Sequence, residues 1–402
     1  MPPAKETLPR EILDNAKRLL LELCEISSPS GDRDGIARLA ERVATELGKR
    51  GLAAQVGDED DEDGKPQPIL VACGPKAGEK YVLLVGHMDT VLDAIPPHLD
   101  GDRLVATGAL DMKGGLAMLV GALDLLAHRG QKPPEDLLLV AVPDEEVGGA
   151  ISERAVRRWG ADARVLLVIE PGEARGDGET LVAGRRGLAE WRLDVSGQAA
   201  HSGLAYWQGR SALAAAADWA AQAQRMSEPG PGPTVNVARL IGGDSDFVNG
   251  LAHNFALLGT SRRRNVISDR ALAEGEVRHL SPADGVRILE RLERLTETLA
   301  AHYGVAMTFV RGMSVPPVDP HGPGEDLVRR VVDLAKARGW NLQVEDDRGG
   351  ISFPNYVADP TRVPIVDGLG PVGDGMHTRD EYVDLRSFER RIVLLADLLA
   401  SL

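Results

Sequence analysis

The sequence predicts an α/β chain: a mostly parallel sheet with flanking helices, interrupted by an inserted α+β segment. Three observations carry this. Short continuous apolar runs, the mark of strands buried on both faces, alternate with segments of helical period through the first half. Polar side chains of metal-ligand type fall just past those runs, where open α/β sheets place their ligands. Near Gly187 the strand pattern changes from continuous to alternating, as in a half-exposed antiparallel sheet.

Taken in order, Glu11 to Ile26 and Ile36 to Leu47 carry apolar residues at helical spacing. The acidic run Asp58 to Asp63 lacks the glycine-containing spacing of a calcium loop and reads as a solvated, mobile loop. Tyr81 to Val85 is a buried strand ending at Gly86, and Met112 to Leu126 a helix rich in Ala, Leu and Gly. Leu137 to Val142 and Val165 to Ile169 are two more buried strands. Beyond Gly187 come an alternating strand (Leu188 to Val195), an alanine-rich helix (Ser211 to Gln224), a Gly/Pro linker (Pro229 to Pro233) and the strand Thr234 to Ala238. Leu272 to Leu280 alternates again, Ala283 to Tyr303 is helical, and Val305 to Val310 closes as a strand. From Gly312 the chain returns to helix, strand and a final amphipathic helix, Leu385 to Leu399. The domain reading is therefore 1–186 and 312–402 for the two parts of the α/β domain and 187–311 for the insertion.

At 402 residues the chain is long enough for two or three domains with real cores. Its net charge of −15 argues against nucleic acid or an anionic membrane as partner, since both need a positive surface. Met1 to Glu6 lacks the charged-then-apolar pattern of a signal peptide, and no apolar stretch approaches about 18 residues. A cytoplasmic protein is expected. Two cysteines give no disulfide framework, and Cys24, inside the run Leu19 to Cys24, reads as a buried helical thiol.

Five segments supply ligands for two metal ions: Gly86 to Thr90, Ala109 to Gly115, Asp144 to Gly149, Ile169 to Pro171, and Gly375 to His377. His87, Asp111, Glu146, Glu170 and His377 together suit zinc, which takes imidazole and carboxylate where thiolate is absent; cobalt or manganese fits the same ligands. In an extended His87-Met88-Asp89 segment both polar side chains face one way, so Asp89 can orient His87. Taken alone, Asp111 would pass for a helix cap and Glu145-Glu146 for a solvated loop. Together they are far more specific. A carboxylate such as Asp111 can bridge two cations about 3.5–4 Å apart, and Glu145, next to a ligand but free of metal, could move the proton of an activated water.

These motifs resemble the dinuclear-zinc amidohydrolases that include carboxypeptidase G type glutamate carboxypeptidases, acetylornithine deacetylase, succinyl-diaminopimelate desuccinylase and aminoacylase. The similarity runs in one order from about Ile12 to the C-terminus, through Gly86-His87-Met88-Asp89-Thr90-Val91, Asp111-Met112-Lys113-Gly114-Gly115 and Asp144-Glu145-Glu146-Val147-Gly148-Gly149. The region of His377 with Glu381-Tyr382-Val383-Asp384 is most similar to the carboxypeptidase G type. The resemblance implies a zinc exopeptidase-like catalytic domain, with His87, Asp111 and Glu170 on one ion and Asp111, Glu146 and His377 on the other. It makes Glu145 the general base, Asp89 the orienter of His87, and the Asp111–Met112 bond cis. It gives the insertion a lid and dimerisation role, His201 a carbonyl-polarising role in the partner subunit's site, and Asn265, Arg311 and Gly350 contacts to substrate; read from the residues alone, His201 is a surface-loop histidine and Arg311 is equally a structural salt-bridge partner. The stretch Gly349 to Asn355 departs from the pattern, Phe353 standing where close relatives carry an acid. Arg185-Arg186 could form an anion site or a solvated hinge.

The expected activity is metal-assisted hydrolysis of an amide or peptide bond next to a free carboxylate, by a homodimer acting on small molecules or short peptides. The alternative within enzymes is an acetylornithine-deacetylase-like or desuccinylase-like deacylase. A dipeptidase is disfavoured because such relatives tend to carry Asp where this chain has Glu170. A catalytically silent metal-binding scaffold is the rival outside enzymes, and it has no use for Glu145, Asp89 and His201.

Overall fold

A computed structural model describes residues 7–253 and 265–402 of the chain; the N-terminal residues Met1 to Glu6 lie outside the described part. Its contacts divide it into two units: residues 1–185 with 318–402, and residues 186–317.

The first unit is built on a six-stranded sheet in the order Ala53–Asp60, Pro66–Cys73, Leu137–Val142, Tyr81–His87, Ala163–Val168, Ile365–Val366. The last four strands run parallel, and the first two form an antiparallel hairpin along one side. Tyr81–His87 and Leu137–Val142 are buried along their whole length, which is why they read as unbroken apolar runs. Helices Arg10–Glu25, Lys113–His128 and Leu385–Ser401 join these strands in one core with Leu20, Leu23, Leu116, Leu119, Ile392 and Leu395. Cys24 is buried in the first of these helices, and burial raises its thiol to about 12.

Two expectations for this unit need correction. Asp58 to Asp60 are not loop: they end a strand and pair with Pro68, Gln67 and Pro66, so only the turn beyond them is loop. There the Asp61 carboxylate accepts the N–H groups of Asp63 and Lys65. His87 does not follow its strand but is the strand's last residue.

The second unit is a four-stranded antiparallel sheet in the order Thr234–Gly243, Arg270–His279, Gly187–Ser196, Ala306–Val315. Helices Ala212–Gln224 and Pro282–Tyr303 share its core, where Trp191 packs on Trp219 at 4.9 Å between ring centroids. The last strand continues through Val315, five residues past the expected end, so the chain leaves this unit after Pro317 and not at residue 311. Arg186, expected in an anion site or a solvated hinge, donates from its guanidinium to the carbonyls of Gly230 and Gly232, stapling the Gly/Pro linker.

Candidate metal centre

The parallel strands of the first unit deliver the chemistry at their carboxyl ends. His87 closes the Tyr81 strand, and Asp89 follows two residues on, fully buried. After the Leu137 strand, Asp144 accepts the N–H groups of Ile151 and Ser152 and so caps the helix Ala150–Gly160. That anchor holds the intervening turn Glu145–Val147. Glu170 stands two residues beyond the Ala163 strand. Asp111 comes from the turn that enters the helix Lys113–His128, and its bond to Met112 is cis. His377, with φ of 64°, lies in the turn between the short strands Gly373–Asp374 and Tyr382–Asp384.

These side chains converge. Nε2 of His87 lies 3.0 Å from Oδ1 of Asp111 and 3.6 Å from Oε1 of Glu170. Nε2 of His377 lies 3.4 Å from Oδ2 of Asp111 and 3.0 Å from Oε2 of Glu146. Asp111 thus offers one oxygen to each histidine. Glu145 joins His87 and Glu170, and Glu146 joins His87 and Asp111, each trio with ligand-type atoms within 4.8 Å of one another.

Asp89 does more than face an imidazole. Nδ1 of His87 is 3.0 Å from the main-chain oxygen of Asp89 and 3.4 Å from its carboxylate. The carboxylate itself accepts N–H groups from both Glu145 and Glu146 and the hydroxyl of Ser30. The orienting contact to His87 therefore runs mainly through the backbone, and the side chain fixes the acid pair. Sequence reasoning passed over Ser30, and no periodicity would have found it. Phe353 is fully buried, its ring centroid 6.3 Å from that of His87, so the position expected to lack an acid forms part of the apolar wall beside that imidazole.

Acids and imidazoles crowd one another in this cluster. Burial, with Asp111 adding, pushes Glu146 up to about 8, and burial also lifts Glu145 and Glu170 above the carboxylate range. Burial opposes a charged His87, yet Glu170 and Asp111 raise its pKa well above the ordinary value; a hydrogen bond to Asp111 lifts His377 to about 9. Oε1 of Glu170 is buried with no hydrogen-bond partner. An orphaned buried carboxylate oxygen, among acids and imidazoles that can all reach one another, fits divalent cations of the zinc type. His87, Asp111, Glu146, Glu170 and His377 are the residues that would hold them.

The family model for Peptidase family M20/M25/M40 matches residues 83–401. The chain belongs to this family. Family membership makes it a hydrolase of peptide or amide bonds, in a family that depends on metal. Carboxypeptidase G2 of Pseudomonas sp. (strain RS-16) is 28% identical over 400 residues, covering 96% of this chain and 88% of its own. Succinyl-diaminopimelate desuccinylase of Afipia carboxidovorans is 28% identical over 330 residues, covering 76% of this chain and 78% of its own. The fold matches that of aminopeptidase PepT from Bacillus cereus, with a TM-score of 0.76 at 19% identity, over 96% of this chain and 98% of that one. Among the described residues no helix is long and apolar enough to cross a membrane.

The remaining family-type positions are distributed between the two units. In the first, Gly350 offers its carbonyl to the guanidinium of Arg185, whose Nε bonds Asp367 at 3.0 Å. Arg185 is buried in that pair and is neither an open anion site nor a solvated hinge. In the second unit His201 is exposed, and its Nδ1 accepts N–H groups from Gly203 and Leu204 at 3.1 and 3.2 Å. Asn265 lies beside it, Nδ2 3.4 Å from Nε2. Arg311 does not stand free for a carboxylate: it forms a two-pronged pair with Glu293 at 2.8 and 2.9 Å.

Proposed function

We propose that this chain is a two-metal hydrolase that cleaves an amide or peptide bond next to a free carboxylate, in N-acyl amino acids or short peptides. One observation carries the reading: Asp111 presents an oxygen to each of two histidines, with Glu146 and Glu170 completing two ligand sets at the strand ends. The named carboxypeptidase relative, similar over nearly the whole chain, supports a carboxypeptidase-like substrate. Bound zinc, or cobalt or manganese in its place, would polarise the scissile carbonyl and make a water acidic near neutral pH.

Glu145 acts as the general base. It takes a proton from the water that attacks the carbonyl carbon and delivers it to the nitrogen as the C–N bond breaks, leaving a carboxylate and an amine. Asp89 keeps Glu145 and Glu146 facing apart by holding both backbone amides. His201 serves the developing oxyanion. With its Nδ1 accepting two backbone N–H groups, the ring would donate from Nε2 once substrate takes the place of the Asn265 amide nitrogen 3.4 Å away. The second unit would act as lid and dimerisation domain, supplying His201 and Asn265 to the site of a partner copy. Arg311 would reach a substrate carboxylate only by exchanging Glu293 for it. We place the protein in the cytoplasm.

The test is a screen of zinc-loaded protein against N-acyl amino acids and dipeptides, each paired with its C-terminal amide. The proposal expects turnover only with the free acids. Equal turnover of the amides would remove the carboxylate requirement.

A further inference from the structure

Against the backbone of the Asp111 turn lies a buried carboxylate with no part in the proposed reaction. Glu381 is 3% exposed, and both its oxygens point at the turn 106–111. Oε2 accepts the N–H of Gly108 at 2.8 Å, while Oε1 accepts those of Leu110 at 2.9 Å and Asp111 at 3.0 Å. Its main-chain oxygen takes a fourth, from Ala106, at 3.1 Å. These amides belong to no helix or strand, so without Glu381 three buried donors would lose their acceptor.

Glu381 also sits at the end of the loop that carries His377. Gly375, at φ +77°, packs so tightly on this loop that a side chain there would meet the Asp380 carbonyl at 2.8 Å. The next residue, Tyr382, opens the strand Tyr382–Asp384, which pairs with Arg103–Val105 just ahead of the turn. One side chain therefore ties the segment presenting Asp111 to the segment presenting His377. It is not a ligand, because both its oxygens are engaged away from the cluster.

We infer that Glu381 is the positioning residue of the metal centre: its carboxylate sets the backbone of the Asp111 turn and locks it to the His377 loop, so that Asp111 can serve two ions at once. The inference rests on the metal reading above. Charge-assisted bonds from one carboxylate to three amides are stronger than neutral ones and define the turn before any metal arrives. Partners one step behind a ligand commonly set metal affinity by about 10–100-fold.

The experiment measures cobalt binding to metal-stripped full-length protein, by competition with a chromogenic chelator and by the visible absorption of bound cobalt. It compares the wild type, Glu381→Gln and Glu381→Asp at a temperature where circular dichroism shows each variant folded. Loss of stability alone does not alter the affinity of a chain that remains folded. Positioning therefore predicts cobalt binding weakened about 10–100-fold in both Glu381 variants with an altered absorption spectrum. Wild-type affinity and spectrum in folded Glu381→Asp or Glu381→Gln would overturn it. A second measurement needs no variant: hydrogen exchange of the Gly108, Leu110 and Asp111 amides in metal-free wild type should be slow, and fast exchange would overturn a turn set in advance. If the wild type itself bound no cobalt, the metal reading would fall and this inference with it.

Discussion

Asp111 faces two histidines with two oxygens, and the residues around it divide into those that would hold a cation and one that would move a proton. The proposal gives Glu145 the second role: it neighbours Glu146 but lies outside the trio that Glu146 forms with His87 and Asp111. Glu145→Gln should lower kcat by about 10²–10⁴-fold, with metal content per chain unchanged when measured by atomic emission. A variant at wild-type rate, or one that loses its metal, would assign Glu145 differently. That these side chains would converge was legible from residue type and, for His87, Glu146 and Glu170, from their place at the ends of buried runs. What could not be read was how the ligands are held. Asp89 grips the amides of residues 56 and 57 positions away, and Glu381 reaches across 270 positions to Asp111, so neither link leaves a local pattern.

At the level of helices and strands, close approach places the ligands. A Cβ on Gly115 would lie 2.4 Å from the main-chain oxygen of Ile169, the residue before Glu170. Gly115→Ala should therefore push the helix Lys113–His128 off the end of the Ala163 strand, costing about 1–3 kcal/mol and weakening metal binding. Chemical denaturation together with cobalt titration would check it, and an unchanged midpoint would refute the close contact. Helix Arg33–Lys49 is held differently. Glu46 pairs with Arg42, Lys49 and Arg50 at 2.6–2.8 Å, and Arg50 reaches Asp124 on the Lys113 helix. Although burial opposes its charge, hydrogen bonds from Lys49, Arg50 and Arg42 lower Glu46 to about 2. A depressed carboxylate stabilises the fold above its unfolded pKa and loses that contribution as pH falls toward the folded value. The stability gap between wild type and Glu46→Gln, about 1–3 kcal/mol at pH 6, should narrow steadily from about pH 4.5 down to 2 in urea unfolding. A constant gap would contradict the assignment. Buried elements were legible almost to the residue, as with Leu137–Val142. The hairpin Ala53–Cys73 was not, because its strand Ala53–Asp60 is rich in exposed acids and sends only Ala54 and Val56 toward the core.

For the whole molecule, the proposal assigns the first unit the metal centre and the second unit a histidine for a neighbour's site. Mixing His201→Ala with Glu145→Gln under conditions of subunit exchange tests that assignment. His201→Ala alone should be reduced by about two to three orders of magnitude, on the usual worth of about 3–4 kcal/mol for an oxyanion donor, and Glu145→Gln by the loss of its base. The mixed dimer contains one site with both groups intact, so partial recovery of activity is expected. No recovery, with exchange confirmed by mass, would place His201 in its own chain's service or in none. The two-unit organisation was legible in the change of strand pattern at Gly187; the exit at Pro317 was not, because the edge strand ending at Val315 mixes glycine, arginine and exposed apolar residues without clear alternation. The central claim is that catalysis needs the ion pair held by Asp111 and its neighbours. Its most direct test is to strip the protein with a chelator and titrate zinc back while following hydrolysis of an N-acyl amino acid that the screen has identified. The account predicts no turnover in the stripped protein and a rise that saturates near two equivalents of zinc per chain. Full activity in metal-free protein, or saturation at one equivalent, would contradict it.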